Sequence, residues 1–115
     1  MANRVAICAV AQTQFEPDKW KVRMQGMLWE VVKNVCKQTG LGFGPGGIEA
    51  TVTVSDDVFD ARTISNAAIT DVVGAHFQSE EKVAADGSQG LYYAVATVLS
   101  GHHDIVLLAG HCKES

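Results

Sequence analysis

Several residues in this sequence are of types that do chemistry. His102-His103 and His111-Cys112 bring imidazoles and a thiol close together in the chain, and Asp86-Gly87-Ser88-Gln89-Gly90 is a polar turn ahead of an apolar run. Imidazole and thiolate are zinc ligands. However, the run from Asp104 to Ala109, DIVLLA, reads as a strand. At ~3.3 Å per residue it holds the histidine pair about 20 Å from His111, too far for one ion. Solvated loop histidines are therefore expected, and no metal. His111-Cys112 follows the carboxyl end of that strand, where open α/β sheets place ligands, so both are weak catalytic candidates. Adjacent residues there turn their side chains apart, which argues against a dyad.

Ser88 has a hydroxyl that a nearby base can activate, but serine and aspartate before a helix usually cap it. Ser88 is thus a weak catalytic candidate, and Asp86 or Ser88 is an expected N-cap. Tyr92 or Tyr93 can offer a phenol as general acid, and only one of two neighbours can face inward. Asp56, Asp57 and Asp60 can approach a cation but lack the EF-hand glycine and glutamate. The stretch Gly40 to Gly47 lacks the phosphate-loop lysine and precedes a strand, so it reads as a connector.

The elements that would position these groups follow from periodicity. Arg4 to Val10 is a near-continuous apolar run, the mark of a strand buried on both faces of a parallel sheet. Met24, Met27, Leu28, Val31, Val32 and Val35 recur at helical spacing up to Thr39-Gly40, and Trp29 is read with them as packing. Ile48 to Val54 gives a second strand, and Arg62 to Val73 a second helix ending at Gly74. A short strand at Lys82 to Ala85 precedes a third helix through Leu91, Val95, Val98 and Leu99, ending at Ser100-Gly101. The order is β-α-β-α-β-α-β, which implies an α/β domain with right-handed crossovers and a mostly parallel sheet. No helix follows DIVLLA to cover the sheet there, so further chain or another subunit is expected to supply the missing layer.

With 115 residues, 47% hydrophobic and 19% charged, the chain suffices for one domain with one core. A net charge of −4 disfavours nucleic acid as a partner. No run approaches the ~20 apolar residues that span a bilayer, so no membrane partner is expected. The short apolar stretch after Met1 does not read as a signal peptide. Three cysteines without a C-x-x-C pair, with Cys8 and Cys36 inside apolar segments, suit packed thiols in a reducing, cytoplasmic setting.

Four segments carry a family resemblance. They are RVAICAVAQTQF (4–15), DVFDARTISN (57–66), Val83 to Gly90, and SGHHDIVLLAG (100–110). Together they resemble the amino-terminal part of the thiolase superfamily, in the branch of sterol-carrier-protein thiolases and their cysteine-lacking aldolase relatives. The likeness spans this chain and about the first quarter to third of a family member. It implies an incomplete half of an αβαβα sandwich, lacking the histidine and second-cysteine motifs that lie later in the family.

In that family the nucleophilic cysteine opens the third helix, where backbone amides and the macrodipole stabilise a thiolate. Alignment from either side puts Gly87 in its place, and glycine cannot carry an acyl group. The resemblance therefore implies a subunit acting on a coenzyme A thioester by thiolysis or retro-aldol cleavage, inactive alone. It would bind its acyl-CoA substrate near Asp86, Gly87, Ser88 and Tyr92, with no covalent cofactor. Its partners would be another thiolase-like subunit and possibly a zinc-ribbon/OB-fold protein, in an oligomer whose interface lies near the 56–60 loop. The alternative is a non-catalytic scaffold or acyl-CoA-binding subunit.

Overall fold

A computed structural model describes residues 4–56, 65–76 and 78–112. It contains helix α1 (Met24–Thr39), strand β1 (Ala50–Val54), a 3-10 turn (Ser65–Ala68), strand β2 (Ser79–Val83), helix α2 (Gly87–Leu99) and strand β3 (Val106–Gly110). The sheet order is β2-β1-β3, and both pairings are parallel. This is a small α/β sheet with crossovers, as the alternation of strands and helices predicts.

The central strand explains itself. All five residues of β1, ATVTV, are buried, and its hydroxyls are satisfied: Thr51 Oγ1 donates to Val73 O at 3.0 Å and Thr53 Oγ1 to Glu81 O at 3.4 Å. Valine and threonine suit a strand covered on both faces.

Strand alternation assigns the two covering layers. Leu107 and Ala109 of β3 join a core with Met24, Leu28 and Val32 of α1 and with Ile69 and Val73. Leu108 of β3 and Val54 of β1 point the other way, to α2. There Gly90 comes so close that a Cβ would lie 3.0 Å from Leu108 Cδ1 and from Val54 Cβ. Only a residue without a side chain lets the helix rest at that depth. Helix α1 buries Met24, Leu28 and Val32, one turn apart, and stops at Gly40, whose φ of 71° is left-handed and whose N–H bonds Cys36 O.

Four expectations are corrected. Arg4 to Val10 forms no strand and is not buried: Ile7 is 68% and Val10 72% exposed. A strand needs a neighbour to satisfy its backbone, and none of the described strands pairs with this run. The expected strand at Lys82 to Ala85 begins three residues earlier, at Ser79, because pairing with β1 rather than local hydropathy sets its register. The strand expected over Asp104 to Ala109, fully buried by its apolar composition, spans Val106–Gly110 and is buried on alternate residues only, those that face the α1 core. Trp29 is half-exposed and lies outside the α1 packing face.

The expected helix over 62–73 falls partly outside the described residues, as do Asp57 and Asp60. Its described part is the 3-10 turn followed by hydrogen-bonded turns up to Gly74.

Candidate functional site at the open edge of the sheet

The site is an open cavity of about 1260 Å³. Residues 104–112 form one wall and residues 4–17 the opposite one. Met27, Leu28, Val31, Val32 and Val35 of α1 close one face, and Leu91, Ala94, Val95 and Val98 of α2 the other. Gly87 lines it at the amino end of α2.

The β3 wall carries backbone groups as well as apolar side chains. Ile105 O accepts from Glu49 N at 3.0 Å, and His111 N donates to Val54 O at 3.1 Å, so both residues turn their amide groups toward β1. By the two-residue period of a strand, Leu107 and Ala109 do the same, and Val106, Leu108 and Gly110 offer theirs to the cavity. On the far wall, Val10 O accepts from Gln38 Nε2 of α1 at 3.0 Å.

The amino end of α2 is a built helix start. Asp86 is its N-cap, with extended φ and ψ, and its Oδ1 accepts from Gln89 N at 3.1 Å. Gly90 N bonds Asp86 O at 3.1 Å. The cap is thus Asp86, and Ser88 is an exposed first-turn residue. At Gly87 a Cβ would meet no atom within 4 Å, and its φ lies outside the left-handed range, so this backbone accepts a side chain without strain. Partial positive charge from the helix end falls where Gly87 borders the cavity.

The two residues after β3 turn apart: His111 is buried and Cys112 exposed, although both border the cavity. His102 is exposed and hydrogen-bonds Ser100 Oγ within its own loop. Among the described residues no group of three or more His, Cys, Asp or Glu side chains is placed to hold a metal. Tyr92 is 78% exposed, and Leu91 rather than Tyr92 borders the cavity. Tyr93 instead reaches across to β2, where its hydroxyl donates to Glu81 Oε2. That carboxylate holds the phenol above its ordinary value of 10.0, first by the hydrogen bond, then through desolvation and like-charge repulsion.

One pairing has no signal in sequence. Lys82 Nζ donates to Ser55 Oγ at 2.6 Å and to Ser55 O at 2.9 Å, joining residues 27 positions apart. It ties the edge strand β2 to the carboxyl end of β1, and Ser55 is only 3% exposed. A serine-lysine pair is a known nucleophile arrangement. Here it lies outside the cavity lining, and its role is to satisfy the polar groups at the end of β1.

No family model matches the chain, and no curated protein matches it. No described helix is long and apolar enough to cross a membrane.

Proposed function

We propose that this chain is a subunit of a thiolase-like assembly that acts on a coenzyme A thioester, and that another polypeptide completes its sheet and supplies the reacting groups. The observation that carries this reading is Gly87: a capped helix end opens onto a large apolar cavity at a residue with room for a side chain and none present. An acyl chain has apolar walls to enter, and a thioester oxygen near Gly87 would feel the helix end. Covalent acyl transfer has no nucleophile at that position, which favours retro-aldol cleavage or a catalytic group from the partner. Among the described residues no strand pairs with the outer edge of β3, which agrees with a sheet completed by another polypeptide, because a parallel strand is stable when covered and paired on both sides.

A second reading, a non-catalytic scaffold or acyl-CoA-binding subunit, rests on the same glycine. Native mass spectrometry of the particle from its source cells, followed by acetoacetyl-CoA thiolysis and retro-aldol assays, separates the two. A second chain together with either activity is the expected result. A stable, inactive homo-oligomer would overturn the assembly reading and leave the binding role.

A further inference from the structure

The outer side of α1 and the turn before it carry a basic and aromatic surface, of which Phe15 and Lys19 also border the cavity while Trp20, Lys21, Arg23, Trp29, Lys33 and Lys37 do not. Residues 15–37 contain Lys19, Lys21, Arg23, Lys33 and Lys37, five of the nine basic residues of a chain whose net charge is −4, against three acids, Glu16, Asp18 and Glu30, of which Glu16 lies 3.9 Å from Lys19. The same stretch holds both tryptophans of the chain. Trp20 is 72% and Trp29 51% exposed, and Phe15 just before them is 85% exposed. Each indole carries an ammonium group: Lys21 Nζ sits 5.1 Å from the Trp20 ring centre and Lys33 Nζ 6.0 Å from that of Trp29. Val22 of the turn packs beside Gly26 at the start of the helix, its Cγ1 3.2 Å from where a Gly26 Cβ would stand. Gly26, Trp29, Lys33 and Lys37 then follow one another along the exposed side, three or four residues apart.

We infer that this face docks the protein on an anionic lipid surface. Charge complementarity selects the partner's sign, because basic groups gather here on a chain that is acidic as a whole. The pairing of each indole with a lysine selects its kind. A protein partner would have to desolvate those ammonium groups with the rings, and lysine is depleted from protein interfaces. At a lipid headgroup layer the ring sinks and the lysine extends back to phosphate and water. The helix would lie on the surface, without spanning it.

Because Trp20 and Trp29 are the only tryptophans, their fluorescence reports this face alone. The full chain is mixed with vesicles of phosphatidylcholine, with or without phosphatidylserine, and with brominated acyl chains as quencher. The expected result is a blue shift and quenching on the anionic vesicles only, reversed in ~1 M salt, where the screening length falls to about 3 Å. A double variant, Lys21→Glu with Lys33→Glu, should bind roughly tenfold more weakly or worse with an unchanged circular dichroism spectrum. Pelleting with vesicles while the tryptophans stay unshifted and unquenched would mean that the apolar cavity binds lipid, and would overturn the inference. So would equal binding to neutral vesicles, or none to anionic ones.

Discussion

At the scale of single residues, two glycines that look alike in sequence make opposite demands. Gly87 has open space around its missing Cβ, whereas Gly90 rests against Val54 and Leu108. Gly87→Ala should stabilise the protein by about 0.4–1 kcal/mol by restricting the unfolded chain. Gly90→Ala should cost about 1–3 kcal/mol, because helix and sheet must separate. Urea unfolding of the two variants measures both signs. Gly87→Cys should fold and give a thiol more acidic than the ordinary value of about 8.5, because the α2 amide dipoles stabilise its anion. The pH dependence of alkylation, with the three native cysteines replaced by serine, reads it directly; a thiol titrating at or above that value would remove the electrostatic basis of the proposed site.

Tyr93 offers a titration of the same kind. Its pKa is raised in the folded state by Glu81, so the folded protein holds this proton above pH 10.0, where the unfolded chain releases it. The linked stabilisation is complete below that pH and is lost as pH climbs through the folded value. Glu81→Gln should return phenolate formation toward 10.0, as followed by ultraviolet absorbance.

At the scale of elements, the helices are local and the strands are not. Helix α1 ends at Gly40 and α2 begins after Asp86, both where periodicity and capping residues place them. The run from Arg4 to Val10 has the composition of a buried strand and forms none, since none of the described strands pairs with it. Amide exchange tests the β3 edge: Val106, Leu108 and Gly110 should exchange much faster than Leu107 and Ala109, whose N–H groups face β1. Uniform protection along β3 would mean that both of its edges are paired in solution.

At the scale of the molecule, the cavity at this edge leaves apolar side chains of both helices open to water. Such a surface favours association. The isolated chain should therefore enhance the fluorescence of an apolar dye while keeping its near-ultraviolet circular dichroism, which separates an open native cavity from a molten state. Binding of the completing polypeptide should abolish the enhancement. Persistence of the signal in the assembled particle would show that the cavity is not where the partner sits.

The amino-acid sequence by itself determined the α/β alternation, the span of α1, a cap at Asp86 or Ser88, the glycine at position 87 and the connector from Gly40 to Gly47. Each depends on residues within a turn or two of one another, where spacing and backbone preference act directly. Only the tertiary structure decided that Arg4 to Val10 is an unpaired wall and that Lys82 meets Ser55. It also decided that Tyr93 turns to Glu81, that Trp29 faces outward, and that the site lies along an open strand edge. Those outcomes depend on which distant segments lie side by side, and a strand's side-chain pattern states what it can bury without stating what will bury it.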